Sequence, residues 1–453
     1  MPHVEDVEPG YLHTVADFAL QAGALLLASG AAAAEVVEAM LAVAQKAGVV
    51  DVSVDVTYAV LTFSYRSLDD DAAPYTRMQT IHGRTYNYGK LTEVSRLVER
   101  FCQGHVTLNE ANTEIHRVAT ASGPYPWWLT RIAAGAAGAS AALIFGGDWL
   151  VMLAAFVANV VLDYLFGVLG RHKWPTFFMQ TVAGVIAVLV AVLVNLTDPT
   201  VNSSLVVVAV IIVMLAGVTT TGGVQDAITG WYVTALGRIF EAVMNTIGLI
   251  VGIAFGNLVA AHLGIHLAIS ASVSMGPLWL PVILLASAFA AIGFSFVAQN
   301  PPRIIVPTAL LAAIGYAVYT AASAANLGAV WPNAVAAFVI GLIAVVYTQW
   351  LKAPAAAFAV CAILPLLPGV ALYQGLLGLN GFSALVTALG IALALAGGLT
   401  FGEYIASVAW RQMRIVENHF FAPLFATPFA TQRDKSRTRG ADNEENEEKA
   451  CSD

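Results

Sequence analysis

The chain has 453 residues, 58% of them hydrophobic and only 11% charged, with a net charge of −8. A soluble domain carries about 25% charged residues, so most of this chain is not solvated like one, and the negative balance argues against nucleic acid as a partner. Three isolated cysteines, Cys102, Cys361 and Cys451, give neither a disulfide framework nor a CxxC metal site.

The charge is unevenly placed. Residues 1–126 hold 8 Lys/Arg and 15 Asp/Glu, residues 127–410 hold 6 and 6, and residues 411–453 hold 7 and 8. This pattern predicts a soluble domain, a polytopic membrane region and a charged tail. The opening "MPHVEDVEPG" is acidic and has no apolar h-region, so no cleaved signal peptide is expected. Residues 1–10 read as disordered and residues 11–126 as a cytoplasmic α+β domain. "YLHTVADFALQAGALLLASG" and "AAAAEVVEAMLAVAQKAG" have amphipathic spacing, the second with Val36, Val37, Met40, Leu41 and Ala44 on one side. "VVDVSVDVTY" alternates strictly and predicts a half-buried strand. "AVLTFSYRS" and "YTRMQTIHG" predict two more strands around "LDDDAAP", and helices follow near 90–103 and 107–120. The domain carries no GxSxG, HExxH, Walker A or dinucleotide fingerprint, and His82, His105 and His116 lack metal-ligand spacing. No enzyme activity, cofactor or metal is expected.

Beyond Trp127, apolar runs of about 18–25 residues fit a ~30 Å hydrocarbon core. Ten are predicted, near 129–146, 149–169, 176–195, 203–219, 237–260, 278–298, 304–322, 333–351, 355–376 and 383–408. They form two five-helix modules, 127–268 and 269–410, followed by a charged cytoplasmic tail over 411–453. With ten crossings, Arg171, Lys173, Arg238, Arg303 and Lys352 all fall on the side of the N-terminus. The positive-inside rule then makes both termini cytoplasmic. Five helices per half force opposite orientations, the arrangement of inverted-repeat transporters.

Several stretches resemble the threonine/serine exporter family in its fused ten-helix form. "LLLASGAAAAEVVEAMLAVAQKAGV" is similar to the family's opening helical pair, and "GVQDAITGWYVTALGRIFEAVMNTIGLIVG" to its Asp-x-x-x-Gly…Gly-Arg segment. "AAIGFSFVAQNPPRIIVPTALLAAIGY" and "WLKAPAAAFAVCAILPLLPGVALYQGL" are similar to its second membrane module. The chain departs at Ala216-Gly217, where some relatives have Pro-Gly. The resemblance implies a plasma-membrane exporter of threonine and serine driven by protons, with relatives also connected to small carboxylates. Expected partners are a small amino-acid substrate, protons and the lipid bilayer; a homo-oligomer is compatible with the sequence. Two alternatives are an exporter of small mono- or dicarboxylates and a membrane-anchored enzyme or sensor acting through residues 11–122.

The membrane residues add candidates of their own. "LAGVTTTGGVQ" and "LPGVALYQGLLG" end the fourth helix of each half, with Leu215, Gly217 and Val218 matching Leu367, Gly369 and Val370. A glycine-rich break frees backbone groups that protein, water or substrate must satisfy. Thr219, Thr220, Thr221, Gly222, Gly223 and Asp226, with Pro368 and Gly369, are therefore the expected substrate site, Asp226 taking the ammonium. The bland alternatives are a loop with Asp226 as an N-cap, and a simple kink at Pro365 and Pro368. Ionisable groups in a bilayer are costly and default to function. Asp163, four residues after Asn159, is the first expected proton carrier, Glu241 the second and Glu403 the third. Asn159 and Asn245 are supporting polar groups at helical spacing. Arg238 supports the site or bridges Glu241 within one helix, and Glu403, near the cytoplasmic exit of the tenth helix, reads more readily as a snorkelling acid.

Overall fold

The computed structural model describes residues 8–66, 74–81, 83–212, 217–265, 280–367 and 381–413. The N-terminal part contains α1 (Pro9–Ala28), α2 (Ala33–Lys46), β1 (Val52–Thr57), β2 (Val60–Tyr65), β3 (Tyr75–Thr80), α3 (Tyr88–Cys102) and α4 (Leu108–Thr120). The strands form an antiparallel sheet in the order β1-β2-β3, with Val54 opposite Phe63 and Phe63 opposite Arg77. Alternation works here as it does in half-buried sheets generally: Leu61 and Phe63 are fully buried and Tyr65 nearly so, under α1. The expected alternation begins at Val52 and not at Val50, which is exposed and lies outside the strand. His82 lies outside the described residues.

The helices that follow are α5 (Trp127–Ile144), α6 (Trp149–Arg171), α7 (Thr176–Thr197), α8 (Ser203–Ile211), α9 (Gly217–Ile228), α10 (Tyr232–His262), α11 (Leu280–Val297), α12 (Pro302–Ala324), α13 (Trp331–Leu351), α14 (Ala355–Ile363) and α15 (Gly381–Met413). Among the described residues, eight helices are long and apolar enough to cross a membrane: α1, α6, α7, α10, α11, α12, α13 and α15. The protein is a polytopic helical membrane protein. Exposed apolar side chains such as Leu153, Val157 and Val161 line the outside of α6. Exposed tryptophans mark helix ends: Trp127, Trp149, Trp331 and Trp350. That is the dress of a lipid-facing bundle with an interfacial aromatic belt.

Three of the ten expected spans come out differently: α5, with 18 residues, is not among the eight, and α8 and α14 are short. Helices α8 and α14 have 9 residues each, roughly 14 Å of helix at 1.5 Å per residue. Neither alone reaches across the bilayer. Both are largely buried, Val206–Ile212 without interruption and Ala357–Ile363 save for half-buried Val360, as a helix enclosed by others must be. A 3₁₀ turn at Leu364–Leu366 follows α14. A small apolar cavity lies between Ile212, just past α8, and Leu364 and Pro365, walled by α5 and α11. In turn, α1 meets the length and apolarity of a span but packs on α2, α3, α4 and the sheet of the N-terminal part.

Glycines set the closest helix contacts. On α7 and α10, a Cβ at Gly184 would meet Leu249 O and Ile253 N, one at Gly248 would meet Phe177 O, and one at Gly252 would meet Thr181 O. On α13 and α15, one at Gly341 would meet Leu399 O and Glu403 N, one at Gly398 would meet Ala334 O, and one at Gly402 would meet Phe338 O. Adding 157 to each α7 number and 150 to each α10 number reproduces the α13–α15 contacts residue for residue. Small residues let these backbones approach closely in lipid. The neighbour relations recur too: α5 on α6, α6 on α7 and α7 on α8 are matched by α11 on α12, α12 on α13 and α13 on α14.

The N-terminal part caps one end of this bundle. Tyr88 N–H donates to Ala298 O (2.9 Å), and the Tyr125 hydroxyl to Asn300 O (2.7 Å), both at the α11–α12 corner. Arg96 donates to Lys352 O from Nε and Nη2 (2.9 Å each) at the α13–α14 corner.

Candidate functional site

The stretch "GVTTTGGVQDAI" is helix α9, not a loop, so Asp226 lies inside a helix and does not cap the start of α10. Its glycines serve packing against α10. A Cβ at Gly223 would crowd Ile239 and the Arg238 side chain, and one at Gly222 would sit 3.1 Å from Arg238 Nη1. The close approach lets Arg238 reach back from α10 to α9. Its Nη1 donates to Asp226 Oδ2 at 2.6 Å and to Gly222 O at 3.3 Å. Both side chains are almost fully buried, at 4% and 0% exposed. Arg238 therefore pairs with Asp226, not with Glu241 one turn along its own helix.

The remaining valences of this ion pair go to the N-terminal part. Arg238 Nη2 donates to Ala31 O (2.9 Å), and Asp226 Oδ1 accepts from Ala33 N–H (2.8 Å). Helix α2 starts at Ala33 after Ala32, a residue with no capping side chain. Asp226, 193 positions away, supplies the missing acceptor for one of the orphan N–H groups. Glu35, three residues past the cap, accepts from Ala32 N–H, so the two acids between them take the N–H groups of Ala32 and Ala33 at the start of α2. Burial, with the Asp226 charge adding to it, pushes the Glu35 carboxyl up to about 7, against the pull of the Ala32 N–H and Arg238. In this conformation both oxygens of Asp226, the expected partner of a substrate ammonium, are engaged by protein groups.

A second set of contacts lies beside the first. The β1–β2 hairpin tip, Tyr58, has φ 50°, a left-handed conformation costly for a bulky residue. Tyr58 N–H donates to Thr234 Oγ1 (3.0 Å), whose hydroxyl donates to Val56 O (2.8 Å). The Tyr58 ring packs on Gly237, where a Cβ would collide with it. Its hydroxyl donates to Glu241 Oε2 (3.3 Å), and Arg84 also approaches that oxygen (3.5 Å) while stacking on the ring. Burial lowers the Arg84 pKa, and the nearby Arg238 charge lowers it further. Tyr86 shares a 2.6 Å hydrogen bond with Thr219 Oγ1 on α9. On α15, Glu403 is 2% exposed. Its Oε2 accepts from Gln225 Nε2 at 3.1 Å, and it lies within electrostatic range of Glu35. No cation among the described residues is within ion-pair distance of it.

The structure thus gathers Thr219, Thr221, Gly222, Gly223, Asp226, Arg238, Glu241 and Glu403 at the junction with the N-terminal part. Thr220 lies on the same helix, half-buried. Asn245, one turn after Glu241, is buried on α10. Asp163 and Asn159 lie elsewhere. Asp163 Oδ2 is 3.9 Å from Arg131 Nε of α5, a guanidinium that also stacks on Trp127 and Tyr164. The expected carboxylate without a cation is therefore a paired one. Asn159 is fully buried against Gly138, donates to Ala155 O (2.9 Å) and Ala209 O (3.5 Å), and keeps Oδ1 unpartnered among the described residues. Pro368 and Gly369 lie outside the described residues. Sequence reading missed Glu35, Tyr58, Arg84, Tyr86 and Gln225. Only one signal was available: four alanines opening α2 without a cap residue.

The family model described as "Putative threonine/serine exporter" matches residues 17–259, and that described as "Threonine/Serine exporter, ThrE" matches residues 283–405. A Mycobacterium tuberculosis (strain ATCC 25618 / H37Rv) protein named "Probable threonine/serine exporter" is 31% identical over 411 residues, covering 87% of this chain and 77% of that protein. The "Threonine/serine exporter" of Corynebacterium glutamicum is 27% identical over 437 residues, covering 94% and 88%. No solved structure matches the chain.

Proposed function

The chain belongs to the threonine/serine exporter family, and from that premise we propose that it is a secondary transporter exporting small neutral amino acids, threonine and serine foremost, from the cytoplasm in exchange for protons. The observation that carries this reading is the family match across both membrane modules, residues 17–259 and 283–405. The bundle is read as ten membrane passages in two inverted halves, α5–α8 with α10 and α11–α14 with α15. The recurrent glycine register supports the pairing of halves. The ends of α5 and α11 support the inversion. Tyr125, two residues before α5, bonds Asn300, three residues after α11, so one helix starts where its counterpart finishes. The short helices α8 and α14 are then the broken fourth helices of each half, facing one another across the apolar cavity. The N-terminal part and both termini are assigned to the cytoplasm. A cysteine at Asp198, beyond α7, should react from outside, and one at Lys173, between α6 and α7, should not; the reverse would overturn the orientation.

Among the acids, Glu403 takes the first place as proton carrier. It is buried with a neutral donor, Gln225, while Asp163 faces Arg131 and Glu241 faces Arg84. A buried carboxylate without a cation binds a proton readily. A dicarboxylate substrate is less well served, because the buried guanidinium of Arg238 already has its carboxylate. Purified protein in proteoliposomes should exchange radiolabelled L-threonine in counterflow and accumulate it against its gradient when a pH gradient is imposed. Counterflow of succinate but not of threonine would overturn the substrate assignment, and threonine accumulation indifferent to the pH gradient would overturn proton coupling.

A further inference from the structure

The chemistry around Asp226 and Arg238 has an oddity. A fully buried ion pair on two membrane helices directs its remaining valences at two neutral backbone groups of the N-terminal part, Ala33 N–H and Ala31 C=O. A donor at the carboxylate and an acceptor at the guanidinium are what an α-amino acid presents, with an ammonium in place of the N–H and a carboxylate in place of the C=O. We propose that residues 31–33 occupy a zwitterion-binding site formed by Asp226 and Arg238, and that threonine or serine binds there when this segment withdraws. The segment is an autoinhibitory stand-in for the substrate's charged end. This inference rests on the amino-acid export reading and adds the site and its internal competitor.

Three features support the exchange. The backbone groups are neutral, whereas a zwitterion brings an opposite charge to each member of the pair and adds a Coulomb attraction in a buried site, so it is the better partner for both groups once it reaches them. The occupant is built to fit without a side chain of its own: Ala31, Ala32 and Ala33 are at most 5% exposed and offer only methyl groups, and Gly30 turns the chain into the site at φ 106°. The surrounding attachment combines apolar packing continuous with the bundle core with discrete polar contacts: Tyr86 to Thr219, Tyr58 to Thr234, Arg84 to Glu241, and Arg96 to the Lys352 carbonyl. Polar contacts of this kind are common between parts of a chain that move relative to one another. It also covers Thr219, so withdrawal would bare a hydroxyl beside the ion pair.

The test uses full-length protein in lipid nanodiscs and hydrogen exchange of the peptide spanning residues 29–36. Saturating L-threonine should speed exchange of this peptide about tenfold or more, because the Ala33 amide loses its acceptor. N-acetyl-L-threonine, which lacks the ammonium, should leave it unchanged. Arg96→Gln removes anchoring bonds far from the ion pair and should raise the competent fraction. Threonine should then bind about three- to tenfold more tightly, since apparent affinity scales with that fraction. Unchanged or slowed exchange on adding threonine, in protein that carries out threonine counterflow, would overturn the inference and leave the export reading standing. So would an Arg96→Gln variant whose 29–36 peptide exchanges faster but whose threonine affinity does not rise. Absence of threonine counterflow in the wild type would overturn the export reading and this inference with it.

Discussion

Replacing Asp226 by Asn tests the ion pair at its centre. The side chains are isosteric, and the Asn oxygen can still accept from Ala33 N–H. What changes is the face toward Arg238, where a carboxylate oxygen at 2.6 Å gives way to a neutral group. The guanidinium is then left buried against two carbonyls, Gly222 O and Ala31 O. Removing one partner of a buried pair costs about 3–5 kcal/mol, most of it the penalty of the stranded charge. Arg238→Gln strands the carboxylate and should cost a similar amount. The double variant carries no buried charge, so its loss should fall about 2 kcal/mol or more short of the sum of the two single losses, within the range of coupling between contacting residues. Denaturant unfolding in detergent micelles followed by tryptophan fluorescence reads all four proteins; Trp231, whose backbone N–H donates to Asp226 O, is a local reporter. A loss below about 1 kcal/mol for Asp226→Asn, or strict additivity in the cycle, would refute the reasoning.

Other outcomes follow from the same geometry. The Glu35 carboxyl titrates near 7 when the N-terminal part is docked and near 4.5 when free, so the docked state holds its proton more tightly. Its contribution is full below 4.5, is lost as pH rises from 4.5 to 7, and stays lost above. With Asp226, Arg238 and Glu403 as its charged neighbours, and discounted for partial exposure, the loss is about 1–2 kcal/mol; Glu35→Gln should flatten this slope, and an unchanged slope would contradict the assignment. Glu403→Gln should abolish threonine accumulation driven by a pH gradient while counterflow persists, and wild-type accumulation would remove Glu403 from the coupling step. Gly252→Val and Gly402→Val should each cut the yield of folded protein, because a side chain at either position meets backbone of the facing helix, Thr181 O or Phe338 O. Wild-type yield for either would show that the helices separate without penalty.

Much of the scaffold was legible in the sequence for a simple reason. Strand alternation at Val52–Thr57 and long apolar runs at α6, α7, α10, α12 and α13 are local signals, and the structure follows them within a few residues. The fourth and ninth runs are described only in part, as short buried helices over 203–211 and 355–363, and residues 213–216 and 368–376 lie outside the described residues. The site was legible as residue types and illegible as pairs. Asp226, Arg238, Glu241 and Glu403 are all legible as candidates, but the protein groups that each meets in the structure are not. Their partners, Ala33, Arg84, Tyr58 and Gln225, come from other elements, and no helical spacing reports a contact spanning 193 residues. Asp163 was favoured because its own helix has no cation at its level, and the guanidinium that faces it, Arg131, belongs to α5.

The packing of the two halves and their chemistry obey different symmetries. In the register that superposes α10 on α15, Glu403 falls on Ile253 and Glu241 on Ile391, so neither acid has an acidic counterpart. Yet both acids end up beside the N-terminal part, Glu241 bound by Tyr58 and Arg84 and Glu403 within range of Glu35. A parallel repeat would put the early part of α10 and the late part of α15 at opposite ends of the bundle. The proposed inversion puts them at the same end. The apolar counterparts Ile253 and Ile391 then lie toward the other end, away from the N-terminal part and from Arg84, Tyr58 and Gln225, the groups that receive the two carboxylates. A buried acid is tolerable in a bilayer only where such partners exist. The N-terminal part is therefore more than an appendage to a symmetric carrier. By bringing Tyr58, Arg84 and Glu35 to one end of the bundle, it determines which end of each half holds charge.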